Sequence, residues 1–112
     1  YLQPALTHST GQLAAAALTG LGWGIWHISY VQYGALFMLG FILFTIGASL
    51  FMAFWRRCTH PNLLDAVLFH AAINIGFILF YTEIFTDPTA AVVNGATWIV
   101  LGAGFTLLRK ER

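Results

Sequence analysis

In this chain of 112 residues, 59% are hydrophobic and only 8% are charged, whereas a soluble domain carries roughly 25% charged residues. That composition excludes an ordinary soluble enzyme, and the net charge of +1 is too small to suggest a nucleic-acid partner. The single cysteine, Cys58, excludes an internal disulfide bond.

Four apolar stretches follow one another along the chain, and each is about 18 to 23 residues long, enough to cross a bilayer. They cover about residues 13–30, 35–55, 63–85 and 90–108. Short connections with breaker residues separate them, which favours antiparallel neighbours. The sequence therefore predicts an all-α fold: a polytopic membrane protein with a bundle of four transmembrane helices. We expect a single membrane domain over 1–112, in contact with membrane lipids and part of a larger helical domain.

The basic residues predict an orientation. All five Lys and Arg residues fall at two places, namely Arg56 with Arg57 after the second span, and residues 109–112 at the C-terminus. Four crossings put both places on the same side, and by the positive-inside rule that side is the cytoplasm. We therefore expect a multi-pass protein of the cell membrane, with the basic loop 56–62 and the C-terminus in the cytoplasm.

Polar residues inside the spans are the candidates for a functional site, because such groups are costly in lipid. His27 lies in the first span, one turn after Trp23, and the third span carries His70 and Asn74. His70 and Asn74 are four residues apart and so share one helix face. Two histidines on different helices can hold a divalent metal such as zinc or a polarised water. They can equally serve as hydrogen-bonding groups that pack helices together.

The depths of the two histidines do not match in this scheme. Counted from the cytoplasmic ends of their spans, His27 is about fourteen residues deep and His70 about seven, which differ by about 10 Å. The two can meet only if the span boundaries differ or the helices are offset. A later start to the first span, with residues 12–17 outside the hydrocarbon core, would remove most of the gap.

Other polar and small residues have simpler expected roles. Asp65 lies one turn into the third span, where a carboxylate favours the helix dipole. We expect Asn94 to bond to a neighbouring helix, and His8 and His60 lie outside the spans, in solvated or interfacial loops. The alanines and glycines of residues 14–24 should let a neighbouring backbone approach closely.

The two histidine motifs and the start of the chain carry a family resemblance. The segment Trp23-x-x-x-His27, the segment His70-x-x-x-Asn74 and the opening Tyr1-Leu2-Gln3-Pro4 resemble the CPBP family. These are the CAAX-protease and bacteriocin-processing membrane proteins, also called the Abi family. The family's second motif is F-x-x-x-H, here with tryptophan in place of phenylalanine, and its third motif is H-x-x-x-N. The opening residues resemble the run that follows the family's first motif, E-E-x-x-x-R-G. The resemblance covers roughly residues 1 to 80. Because the first motif is not in the chain, we expect a C-terminal part whose missing N-terminal helices carry the paired glutamates.

The resemblance implies an intramembrane endopeptidase, a membrane hydrolase in which a glutamate activates water together with His27 and His70. These histidines either position that water or bind a divalent metal such as zinc, as in a metalloprotease. Asn74 stabilises the oxyanion or fixes the tautomer of His70, and Trp23 lines the substrate pocket. The implied substrate is a membrane-associated peptide or a prenylated protein, and the chain alone would be inactive. Two alternatives stay open: a non-catalytic scaffold or self-immunity protein of the same family, and a membrane protein that binds haem through two histidines.

Overall fold

A computed structural model describes residues 2–58, 62–80 and 82–108. These residues form helices and no strand, which confirms the all-α prediction. The α-helices and the two short 3₁₀ helices, in chain order, are α1 (Leu2–Thr10), α2 (Gln12–Trp26), a 3₁₀ helix (Ile28–Tyr33), α3 (Ala35–Cys58), α4 (Leu63–Phe80), a second 3₁₀ helix (Thr82–Phe85) and α5 (Pro88–Leu108).

Two of the predicted spans are helices long and apolar enough to cross a membrane. They are α3, with 24 residues, and α5, with 21 residues, while residues 63–79 form a shorter apolar helix. The first predicted span, residues 13–30, differs from the prediction because α2 ends after 15 residues and a 3₁₀ helix follows. The apolar pattern runs through this break without interruption, so hydrophobicity alone gives no sign of it.

The closest helix pair is α3 with α5, which are not neighbours in the sequence. A Cβ atom on Gly95 would lie 2.3 Å from the carbonyl oxygen of Gly40, and one on Gly102 would lie 2.4 Å from that of Gly47. Each helix thus presents glycines two turns apart, and the two backbones touch. Because Gly40 faces Gly95 and Gly47 faces Gly102, the two helices run parallel.

Helix α2 also packs against α3 through small residues, as the sequence predicts. A Cβ on Gly20 would lie 2.5 Å from Cα of Ile46, and one on Gly24 would lie 3.2 Å from Cα of Ile42. Gly22, by contrast, has nothing within 4 Å of its Cβ position. Residue numbers at the contacts rise along α2, from Gly20 to Gly24, and fall along α3, from Ile46 to Ile42. The two helices are therefore antiparallel.

Helix α4 is attached differently, through large aromatic side chains. Phe69 stacks on Phe51 of α3 at 5.8 Å between ring centroids, and Phe77 meets Phe44 edge-on at 5.0 Å. None of the side chains described for α4 is buried, and a Cβ on Gly76 would meet nothing within 4 Å. The rings therefore hold the α4 backbone away from the other helices and leave space between them.

Both arginines that the structure describes lie at one end of the bundle. Arg56 and Arg57 lie in the last turn of α3, where cations favour the helix dipole. Because α5 runs parallel to α3, its C-terminal end lies at the same end of the bundle. Arg57 Nε donates to Gln12 Oε1 at 2.5 Å, which ties this end to the start of α2. Residues 59–61, with His60, and residues 109–112 lie outside the described residues.

The start of α4 has the predicted acidic cap. The backbone N–H of Asn62 donates to Asp65 Oδ2 at 3.0 Å, and the backbone N–H of Asp65 donates to Asn62 Oδ1 at 3.1 Å. This reciprocal pair is a capping box, which satisfies two N–H groups that the helix cannot. Asp65 thus caps the helix, as expected. His8 is exposed as expected, but it lies in the last turn of α1 and not in a loop.

Candidate functional site

A cavity of about 270 Å³ lies between α4 and the other helices. Its lining includes Trp23, His27, His70 and Asn74, which are the residues that the two sequence motifs single out. The two histidines therefore share one cavity, although the predicted spans put them about 10 Å apart in depth. Helix α2 ends at Trp26, so the first predicted span is not one continuous helix. The depth counted along such a helix therefore does not apply to His27.

His27 sits at the C-terminal end of α2, where the helix stops. Its backbone angles, φ −93° and ψ 32°, leave the α-helical region, and its N–H donates to the carbonyl oxygen of Gly24 at 3.1 Å. Its side chain folds back, so that Nδ1 lies 2.9 Å from the carbonyl oxygen of Trp23. A carbonyl oxygen can only accept, so Nδ1 carries the hydrogen of this bond. In the neutral ring, Nε2 therefore keeps an unshared electron pair.

His70 is held through its ring face. The indole of Trp23 and the imidazole of His70 lie 5.1 Å apart at an interplanar angle of 32°. In the part of the chain that the structure describes, neither nitrogen of His70 takes part in a hydrogen bond, and the residue is exposed. Trp23 thus orients the imidazole by packing, and both its nitrogens stay available to a water or a substrate.

Two carboxamides complete the polar lining. Asn74 is exposed, one turn after His70 on α4, as its spacing predicts. Asn94 of α5 lines the same cavity, and its Nδ2 is buried without a hydrogen-bond partner among the described residues. Among the described residues, the expected bond from Asn94 to a neighbouring helix is therefore not made. Sequence reasoning missed Asn94 as a member of this site, because only the packing of its neighbours Ala91 and Gly95 against α3 places it at the cavity.

Aromatic rings form most of the remaining wall. The ring of His27 lies 5.5 Å from Tyr30 and 5.3 Å from Phe41. Further rings follow towards α4 and the second 3₁₀ helix, namely Phe37, Phe44, Phe77 and Phe85. A cavity with an apolar wall and a few convergent polar groups is typical of a site that binds a largely apolar ligand.

The charged and metal-binding groups of the cavity are few. Within residues 2–58, 62–80 and 82–108, no group of three or more His, Cys, Asp or Glu side chains could hold a metal ion. A catalytic zinc takes three protein ligands and a water, so the two imidazoles are one ligand short. No carboxylate is among the described residues that line the cavity. Asp65 caps α4 instead, and Asp87 Oδ1 accepts the N–H of Thr89 at 2.9 Å.

Comparison with known proteins gives one kind of match. No curated protein and no solved structure matches the chain. A family model matches residues 1–76, which is more than half of the chain and includes both histidine motifs. That family is described as type II CAAX prenyl endopeptidase Rce1-like, and its members are embedded in membranes. This match confirms the CAAX-protease resemblance found in the sequence. The chain belongs to the Rce1-like family of type II CAAX prenyl endopeptidases.

Proposed function

We propose that the chain carries the histidine part of an intramembrane endopeptidase of the CAAX-protease type. It would hydrolyse a peptide bond of a membrane-associated or prenylated protein. The observation that carries the proposal is the convergence of Trp23, His27, His70 and Asn74 on one cavity. Two of these residues come from each motif, and the motifs lie on different helices.

In this proposal the chain is one four-span membrane domain, completed by helices outside this sequence. Helices α2 and α4 cross the membrane together with α3 and α5, although α2 has only 15 residues. The antiparallel order of α2 and α3 and the parallel order of α3 and α5 support that arrangement. The end with Arg56 and Arg57 then faces the cytoplasm of a cell membrane.

The proposed chemistry begins with water held between the two imidazoles. His27 accepts a hydrogen bond from this water at Nε2, because Nδ1 donates to the carbonyl oxygen of Trp23. A glutamate of the E-E-x-x-x-R motif, expected before Tyr1, takes the water proton as the oxygen attacks the carbonyl carbon. The C–N bond then breaks, and the proton held by the glutamate passes through His70, which accepts it on one ring nitrogen and donates from the other, to the leaving amine nitrogen.

Asn74 stabilises the oxyanion in this scheme. Its side chain is exposed on the same face of α4 as His70, so its Nδ2 can donate to the oxygen that becomes negative. The alternative role, holding His70 in one tautomer, lacks support because no hydrogen bond joins the two among the described residues. Removing one such donor costs about 100- to 1,000-fold in kcat in other hydrolases.

We favour the scheme without a metal. A zinc ion would need a third ligand from outside the described residues, such as a glutamate of the expected first motif. A chelator separates the two schemes. We expect 1,10-phenanthroline to leave the cleavage rate unchanged, and a loss that zinc restores would establish a metalloprotease instead.

The test of the proposed function is cleavage of a prenylated CAAX peptide by the whole protein in membranes. His27→Asn is the informative variant, because an asparagine amide can still donate to the carbonyl oxygen of Trp23 but offers nothing in place of Nε2. We expect His27→Asn and His70→Gln each to lower kcat by at least about 100-fold. Both variants should unfold at the wild-type temperature.

Thr97→Val is the matched control for this test. Thr97 is exposed on α5, and its hydroxyl donates to the carbonyl oxygen of Val93 in its own helix at 2.8 Å. It does not line the cavity, so its replacement should leave cleavage unchanged. Turnover within tenfold of wild type in His27→Asn or His70→Gln would contradict the assignment. A wild-type protein inactive on all such peptides would favour the non-catalytic scaffold.

A further inference from the structure

We propose that Asn94 is a substrate-binding residue whose side-chain amide donates a hydrogen bond to a main-chain carbonyl oxygen of the bound peptide. This inference rests on the proposed endopeptidase function. It adds a residue of α5 to a site whose motifs lie on α2 and α4. It assigns Asn94 to substrate binding and not to bond breaking.

The first support is an unsatisfied donor. Asn94 Nδ2 is buried, yet no acceptor contacts it among the described residues. Buried polar groups in native proteins are nearly always hydrogen-bonded, so an unpaired one needs an explanation. Because Asn94 lines the cavity that holds His27, His70 and Asn74, a ligand in that cavity is the natural acceptor.

The second support is that α5 cannot easily turn to find another partner. Gly95, the next residue, is so close to α3 that its Cβ would lie 2.3 Å from the carbonyl oxygen of Gly40. Ala91, one turn earlier, is 1% exposed, and Gly40 and Ala91 both line the cavity beside Asn94. Contact between the two backbones therefore fixes the Cα of Asn94 beside the cavity, so that only rotation about χ1 and χ2 can move its amide.

The third support is the chemistry of the amide. A carboxamide NH₂ group donates only, so the partner must be an acceptor such as a carbonyl oxygen. The carboxamide does not ionise near neutral pH, which rules out a role as acid or base. Much of the surrounding wall consists of aromatic rings such as Phe41, Phe44 and Phe77, so few acceptors compete for Nδ2. An extended peptide between α4 and α5 supplies carbonyl oxygens on both sides, for Asn74 and for Asn94.

The experiment compares Asn94→Leu and Asn94→Ala with Thr97→Val in the whole protein, with a prenylated peptide substrate. Leucine keeps the branched shape and the number of heavy atoms of asparagine, and alanine enlarges the cavity, but both remove the donor. Loss of one neutral hydrogen bond in the bound state should raise KM about fivefold to tenfold in both variants, with kcat within about twofold. Thr97→Val should change neither constant.

Thermal unfolding provides the second readout. Because Asn94 Nδ2 has no partner within the described part of the chain, Asn94→Leu should unfold at the wild-type temperature or higher. An unchanged KM in either variant would overturn the inference, and so would a lower kcat at constant KM. A fall of several degrees in the unfolding temperature of Asn94→Leu would make Asn94 a structural residue and also overturn it. Activity that survives His70→Gln would instead refute the proposed function, so the two failures are distinct.

Discussion

Replacing Gly102 by alanine should loosen the contact between α3 and α5, whereas the same replacement at Gly104 should not. A Cβ on Gly102 would lie 2.4 Å from the carbonyl oxygen of Gly47 and 2.9 Å from Cβ of Leu50, whereas ordinary contacts begin at 3.4 Å. The two backbones must therefore separate by about 1 Å, and such overpacking costs about 1 to 3 kcal/mol. A Cβ on Gly104 would meet nothing within 4 Å.

The two variants form a matched pair because both gain the same helix propensity, about 1 kcal/mol for Gly→Ala. Their difference in the free energy of unfolding is then the steric cost alone, about 1 to 3 kcal/mol. It can be measured by titrating the purified protein in mild detergent with SDS and following helix content. If Gly102→Ala and Gly104→Ala unfold within about 0.5 kcal/mol of each other, the backbone contact between α3 and α5 is not as described.

Further predictions concern the cap, the ring contact, the orientation and the haem alternative. Asp65→Ala should lower the free energy of unfolding by about 0.5 to 2 kcal/mol in the same titration and leave kcat unchanged, since it removes only the capping box. Trp23→Ala should lower kcat about tenfold because the ring that orients His70 is lost, while Trp23→Phe should keep most activity; equal losses in both would contradict a packing role. Cys58, which is exposed at the basic end, should react with a membrane-impermeant maleimide in inverted vesicles and not in intact cells. The purified protein should show no Soret band, and a Soret band would establish haem binding.

The parts of the site that sequence could predict are those that depend on one helix. His70 and Asn74 share a face because they are four residues apart, and this holds on any α-helix. Outside the site, local spacing also explains the pair Asn62 and Asp65. Residues three apart can form a capping box wherever a helix begins between them. Local geometry therefore predicted the pairing of His70 with Asn74 at the cavity before any packing was known.

Other parts of the site depend on side-chain bonds and on contacts between distant segments. The breakdown of α2 at His27 has no proline behind it, and the apolar pattern continues into Ile28. At this break the imidazole of His27 bonds to the carbonyl oxygen of Trp23, four residues earlier, and the hydrophobic pattern gives no sign of this side-chain bond. Likewise, Gly40 and Gly95 lie 55 residues apart, so no local pattern could pair them or show that Asn94, beside Gly95, joins the site.

The packing gives the two sides of the cavity different mechanical properties. His27 and Asn94 belong to α2 and α5, whose backbones touch α3 at glycines and cannot shift without collision. His70 and Asn74 belong to α4, which is joined to the bundle through aromatic side chains and has no buried side chain among those described. Side chains can change rotamer, so the ring contacts of α4 allow small shifts of that helix, whereas backbone contacts at glycines do not. Under the proposed function, the wall at α2 and α5 would hold a peptide in register, and the wall at α4 would adjust to admit it.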